Sequence, residues 1–146
     1  MGVCVLAACL TKQGERELKS VTSDKLKTFQ MDVTDSQQIE DVHEQVKNML
    51  PSGHGLWGLV NNAGIAIFGP VEWTPLDHIK RIADVNLWGV IDVTKTFLPL
   101  VKKSQGRVVN LSSLAGRLSY AHWSAYCISK HGVEAFSDAL RREMSP

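Results

Sequence analysis

At 146 residues, with 44% hydrophobic and 21% charged side chains, the chain has the make-up of one packed domain, which excludes a disordered or low-complexity polymer. Sixteen Lys and Arg against fifteen Asp and Glu leave a formal charge of +1 that is interspersed along the chain, so no basic stripe marks a nucleic-acid partner. The three cysteines, Cys4, Cys9 and Cys127, show no metal spacing among themselves or with the five histidines, which argues against a disulfide framework or a metal site and for a reducing compartment.

Val3 to Cys9 (VCVLAAC) is a continuous apolar run of the kind found in a strand buried on both faces. Thr11 to Ser20 is polar and helix-prone, and Lys25 to Val33 reads as a second strand. Ile39, Val42, Val46 and Leu50 recur at helical spacing behind Asp35, and Pro51-Ser52-Gly53 stops that helix. Leu56 to Val60 is a third strand, closed by Asn61-Asn62-Ala63-Gly64. Thr74-Pro75 carries a cap-plus-proline signature for a helix that runs to about Val101 and bends near Gly89. Arg107 to Leu111 is a fourth strand and Ser124 to Arg142 a last helix. Strand and helix alternate throughout, which predicts a doubly wound α/β fold, a parallel sheet with helices on both faces and chemistry at the carboxyl ends of the strands. No repeat or linker divides the chain, so residues 1–146 are read as one domain. No apolar run approaches the ~20 residues that span a bilayer, and Met1 to Leu10 lacks the basic flank of a signal peptide. The chain as given is therefore expected to be soluble, with any membrane association confined to segments outside it.

Gly53, Gly55 and Gly58 match the letters G-x-G-x-x-G. That fingerprint requires a strand before it and a helix after it, so that helix N-terminal amides meet a pyrophosphate. Here a helix precedes and a strand follows, so the match is read as a helix stop and turn.

Tyr126 and Lys130 stand four residues apart near the start of the last helix, on one face of it. A fixed positive charge beside a phenol favours its ionised form, which makes the pair a candidate general acid/base. The spacing alone is weak evidence, because tyrosine and lysine often meet this way by chance. Thirteen residues before Tyr126, Ser113 follows a buried strand, where its hydroxyl faces the ligand crevice or caps a turn. Asn86 is a polar residue in an apolar helical stretch, either a satisfied buried amide or a backbone clamp for water.

In combination these residues resemble the short-chain dehydrogenase/reductase superfamily. Asn61-Asn62-Ala63-Gly64 is similar to its N-N-A-G signature, Asp32-Val33 to the acidic element that contacts adenine, and Asn86, Ser113, Tyr126 and Lys130 fall on its catalytic tetrad. The phrases GLWGLVNNAG, DVNLWGVIDVTKTFLPL and YCISKHGVEAFSDALRREM resemble the branch that holds retinol and 17β-hydroxysteroid dehydrogenases and D-3-hydroxybutyrate dehydrogenase.

The resemblance implies a partial Rossmann-type sheet, because the family's first strand and its T-G-x-x-x-G-x-G turn belong ahead of Val3, and a sixth strand and substrate-binding segment belong beyond Pro146. Loss of the central strand predicts that the isolated chain binds cofactor poorly and is unstable on its own. The resemblance further implies that Tyr126 exchanges a proton with the substrate oxygen, that Lys130 lowers the tyrosine pKa and bonds the nicotinamide ribose, that Ser113 binds the substrate oxygen, and that Asn86 positions a water. Asp32, Val33, Asn62, Ala63 and Gly64 would line the cofactor together with Tyr126 and Lys130. Cys9-Leu10-Thr11-Lys12 offers no acid to grip the ribose hydroxyl, and NAD is favoured over NADP because the similar branch uses it. The implied substrate is a small hydrophobic alcohol or ketone, a retinoid or steroid, with D-3-hydroxybutyrate as the alternative. The implied parent is a homo-oligomer of the endoplasmic reticulum, or of the mitochondrion. A different reading is a catalytically silent product that keeps only an interaction surface along Val133, Phe136 and Leu140 of the last helix, where core packing is the competing explanation.

Overall fold

The computed structural model describes residues 3–144, so the outermost residues of the expected 1–146 domain lie outside the described part. Strand β1 (Val5–Cys9) leads into helix α1 (Lys12–Ser20), β2 (Leu26–Gln30) into α2 (Ser36–Met49), and β3 (Gly58–Asn61) is followed by a long loop. Helix α3 (Leu76–Ala83) continues through a π-helical turn (Asp84–Trp88) into α4 (Gly89–Lys103), and β4 (Arg107–Asn110), a 3-10 turn (Leu114–Gly116) and α5 (Ser124–Glu143) complete the order. Each strand lies within two residues of its expected bounds, except that β2 ends three residues before the expected Val33.

Side-chain caps start the first two helices. The Thr11 hydroxyl accepts from Gly14 N, and Asp35 accepts from the amides of Gln37 and Gln38 at 3.0 and 3.2 Å. These contacts hold the Asp35 carboxyl below the usual carboxylate range, the Gln38 amide being the largest cause. The expected Thr74 cap is not formed. The Thr74 hydroxyl donates to the Pro70 carbonyl at 2.8 Å, and α3 begins after Pro75 without a side-chain cap. The bend expected near Gly89 is a π-helical turn immediately before it, where one extra residue enters the helix and shifts the face presented by the next turn.

The strands pair in parallel as expected, but in two separate pairs, β1 with β2 and β3 with β4. Val5 N donates to Lys25 O and Met31 N to Cys9 O, which turns the backbone groups of Val5 and Cys9 toward β2 and those of Leu6 and Ala8 away from it. The first strand, expected to be buried on both faces, has no buried residue, and Val5 is exposed, as is Val60 of β3. A common core still spans both pairs. Phe29, Ile39, Val42, Val46, Val93, Phe97 and Leu100 form one buried cluster, with Leu6 and Leu59 packed against it, so α2 and α4 bind the two pairs together. The helical spacing of Ile39, Val42 and Val46 thus marks the buried face of α2.

Of the G-x-G-x-x-G match, Gly53 and Gly55 lie between α2 and β3 and Gly58 opens β3, the reverse of the order that fingerprint requires. Gly53 has a φ of 82°, and a side chain at Gly55 would run into the Leu100 carbonyl, so both serve a turn packed on α4. Val133, the first residue of the expected α5 stripe, is buried within this chain, where α5 packs on α3 and the π-helical turn; Phe136 and Leu140 are half-buried.

Candidate active site

The expected residues gather at the carboxyl ends of β3 and β4 and the first turns of α5. Asn86 sits in the π-helical turn with no exposed surface. Its Oδ1 accepts from Ile65 N at 2.8 Å, and its Nδ2 donates to Ile65 O at 2.9 Å and to Ser129 Oγ at 3.1 Å. Ser129 Oγ in turn donates to the Tyr126 carbonyl at 2.8 Å. Both amide hydrogens are therefore spent, and Asn86 is a satisfied buried amide that clamps the loop after β3 onto the first turn of α5.

Lys130 is 5% exposed, and its Nζ donates to the Leu111 carbonyl at 2.7 Å, just past β4. The same Nζ lies 5.7 Å from the centroid of the Tyr126 ring, which places the two on one helix face as their spacing requires. Burial lowers the Lys130 pKa from its ordinary value. A side chain at Gly64 would come within 3.4 Å of Asn86 Oδ1 and 3.8 Å of Lys130 Nζ, so the bare backbone of the loop approaches both. Asn62, Ala63 and Gly64 are exposed there.

Ser113 takes the capping role weighed for it. Its Oγ accepts from Ala115 N at 3.1 Å and caps the 3-10 turn, which leaves the hydroxyl hydrogen to be given elsewhere. That turn rests on α5, because a side chain at Gly116 would collide with Ser112 Oγ and the Lys130 carbonyl, and Arg117 pairs with Glu134 at 2.7 Å. The neighbouring Ser112 Oγ is buried and has no hydrogen-bond partner among the described residues.

Asp32 and Val33 stand apart from this group, at the carboxyl end of β2. Asp32 Oδ1 accepts from Thr34 N and Thr34 Oγ1, forming the turn into α2, and Val33 packs so closely on Gly89 that any side chain there would meet it at 2.9 Å. Thr34, Asp84 and Trp88 join Val33 around a cleft of about 470 Å³.

One group escaped the sequence reading. Asn61 Nδ2 donates to Thr94 Oγ1 at 2.9 Å and to Asn110 Oδ1 at 2.8 Å, and Asn110 Nδ2 donates to Ser137 Oγ at 2.8 Å. This polar chain ties β3 to α4, β4 and α5, and so fixes the strand ends from which the site is built. Its only sequence signal is an asparagine at the carboxyl end of each of two strands. Phe68 and Trp123, whose rings flank Tyr126, also went unnoticed.

Parallel strands joined by helices define an α/β fold, and this one carries a buried lysine, a tyrosine on the same helix face and a serine just past a neighbouring strand. The chain matches the family model for short chain dehydrogenase over residues 2–146, and it belongs to that family. It is 51% identical to the mitochondrial D-beta-hydroxybutyrate dehydrogenase of Rattus norvegicus over 99% of its own length and 44% of the relative's. It is 54% identical to retinol dehydrogenase 16 of the same species, again over 99% of this chain and 45% of the relative. The chain thus spans less than half the length of these curated relatives. Among solved structures, a short-chain dehydrogenase from Streptomyces avermitilis superposes with a TM-score of 0.88 at 30% identity, covering 97% of this chain and 52% of that one. The serine dehydrogenase of Escherichia coli gives 0.88 at 29% identity over 98% and 66%.

Proposed function

We propose that this chain carries the catalytic part of an oxidoreductase that moves a hydride between NAD(H) and the alcohol or ketone group of a retinoid or steroid. The observation that carries the reading is that Lys130 and Asn86 both lie against Gly64, with Tyr126 beside Lys130 on one face of α5.

The residues present fit the nicotinamide end of such a cofactor. Lys130 uses one hydrogen on Leu111 O and keeps two for ribose hydroxyls, and the uncluttered backbone at Gly64 allows close approach. Asp32 and Val33 are the residues proposed for the adenine end. A nicotinamide nucleotide, when bound, supplies or accepts the hydride at the carbinol carbon. In the oxidising direction Tyr126 accepts the alcohol proton, and in the reducing direction it returns that proton to the carbonyl oxygen. Ser113 donates its free hydrogen to the same oxygen, stabilising the charge that develops there. Lys130 holds a positive charge behind the Tyr126 ring, and Asn86 keeps the cofactor loop and the tyrosine's helix turn in register. The residues 1–146 are read as one incomplete dinucleotide-binding and catalytic domain of a homo-oligomeric parent. Its location follows the relatives, the endoplasmic reticulum for the retinoid and steroid enzymes or the mitochondrion for the hydroxybutyrate enzyme.

The hydroxybutyrate reading stands beside this one because a relative of that name is as similar as the retinol enzymes. Turnover of all-trans-retinol, a 17β-hydroxysteroid and D-3-hydroxybutyrate, each with NAD and with NADP, separates the two. The assay uses the 146-residue chain and a version extended at its N-terminus by a strand and glycine-rich turn. NAD-dependent oxidation of retinol or the steroid is expected; oxidation confined to hydroxybutyrate, or a preference for NADP, would contradict the proposal.

A further inference from the structure

Two aromatic side chains beside the tyrosine are held in place without being buried. Phe68, on the loop after β3, and Trp123, immediately before α5, stack at 4.4 Å between ring centroids with an interplanar angle of 32°. Each ring centroid is also 6.1 Å from that of Tyr126, edge-on at 70° and 80°. Tyr120 extends the group, 5.4 Å from Trp123. Phe68 is 52% exposed and Trp123 37%, so the three-ring group leaves apolar faces in water next to the phenol.

The arrangement does not rest on stacking alone. Gly69 N donates to the His122 carbonyl at 2.8 Å, joining the residue after Phe68 to the residue before Trp123. His122 adopts a φ of 66°, a conformation that side-chain-bearing residues rarely take, and it turns the chain back toward the loop at this point. Two segments 55 residues apart are thus fastened so that their aromatic rings meet over Tyr126. The neighbouring cations are engaged: Arg117 is paired with Glu134 at 2.7 Å, and Lys130 is buried on the Leu111 carbonyl.

We infer that Phe68 and Trp123 are specificity residues, forming a shelf for the flat apolar body of an alcohol whose carbinol reaches Tyr126. This deepens the functional reading above and rests on it. A conjugated polyene and a fused-ring steroid share the required chemistry, a rigid planar hydrocarbon next to one hydroxyl. A small hydroxy acid has nothing to lay on the shelf, and its carboxylate would desolvate against aromatic carbon.

Equilibrium binding to the full chain tests this, with the fluorescence of all-trans-retinol as the direct signal and a 17β-hydroxysteroid or D-3-hydroxybutyrate as competitor. Phe68→Ala and Trp123→Ala are expected to weaken retinol about tenfold or more, the range that loss of hydrophobic pocket contact commands. Trp123→Phe, which keeps a ring, is expected to recover most of that loss, and the steroid but not hydroxybutyrate should displace retinol. Retinol bound but not displaced by the steroid would support the shelf and assign it to the polyene. Unchanged affinity in both alanine variants, no retinol binding by the parent chain, displacement by hydroxybutyrate, or a Trp123→Phe variant as weak as Trp123→Ala would each overturn the inference. Tyr126→Phe separates this from the functional reading. It should retain retinol binding while abolishing turnover in the extended chain, so turnover that survives Tyr126→Phe removes the functional reading and the shelf with it, whereas lost turnover with unaltered binding in the alanine variants removes only the shelf.

Discussion

Replacing Asn86 by alanine tests whether the site is held by one buried amide. The wild-type side chain makes three hydrogen bonds, to both backbone groups of Ile65 and to Ser129 Oγ, from a position with no exposed surface. At a net contribution of about 1 kcal/mol for each bond, the substitution should destabilise the chain extended at its N-terminus by about 3 kcal/mol, a large share of the ~5–15 kcal/mol that holds a typical domain folded. Asn86→Asp should lose at least as much, because it keeps the acceptor for Ile65 N but aims a carboxylate oxygen at Ile65 O. Chemical denaturation gives the free energy, and hydrogen exchange at the Ile65 amide gives the location: exchange there should accelerate more than at amides of α2. A loss below about 1 kcal/mol, or unchanged Ile65 exchange in a destabilised protein, would refute the clamp.

Asn61→Ala removes the bonds to Thr94 and Asn110 and should cost about 2 kcal/mol, with faster exchange of the β3 and β4 amides in the same denaturation series. Gly106→Ala should destabilise by about 2 kcal/mol, since the new methyl would lie 2.5 Å from Leu56 O and 2.6 Å from Trp57 O, backbone atoms that cannot swing aside; a thermal midpoint equal to wild type would contradict this packing. Lys130 titrates below its ordinary 10.5 because burial disfavours the ammonium. The folded state therefore binds that proton less readily than the unfolded chain, and stability should rise as pH climbs through the folded pKa toward 10.5. Denaturation midpoints of Lys130→Met across that window should lack the rise; an identical slope in both proteins would assign the effect to other groups.

What could be read in advance was what is local in the chain. The strands and α2 follow from apolar runs and from Ile39, Val42 and Val46 at helical spacing, and Asp35 caps α2 because its short carboxylate reaches the first free amides. Tyr126 and Lys130 share a face because four residues make about one helical turn. Features that depend on distant partners were not legible. Thr74 donates its hydroxyl backward to Pro70 O, and its oxygen accepts from no amide of α3, an arrangement that periodicity does not register. The π-helical turn adds one residue within an otherwise regular pattern, and whether Asn86 binds water or backbone depends on where Ile65 is brought. The Phe68–Trp123 pairing joins residues from opposite sides of α3 and α4, and neither has a spacing that announces the other.

The central claim is that Tyr126 is the proton-transfer group of a nicotinamide-dependent dehydrogenase. Its most direct test is NAD reduction by the extended chain, followed as the appearance of NADH with retinol or a 17β-hydroxysteroid, for wild type and Tyr126→Phe side by side. The account predicts turnover by wild type and a loss of about a hundredfold or more in the variant, with unfolding midpoints unchanged. Equal rates in the two proteins would contradict it.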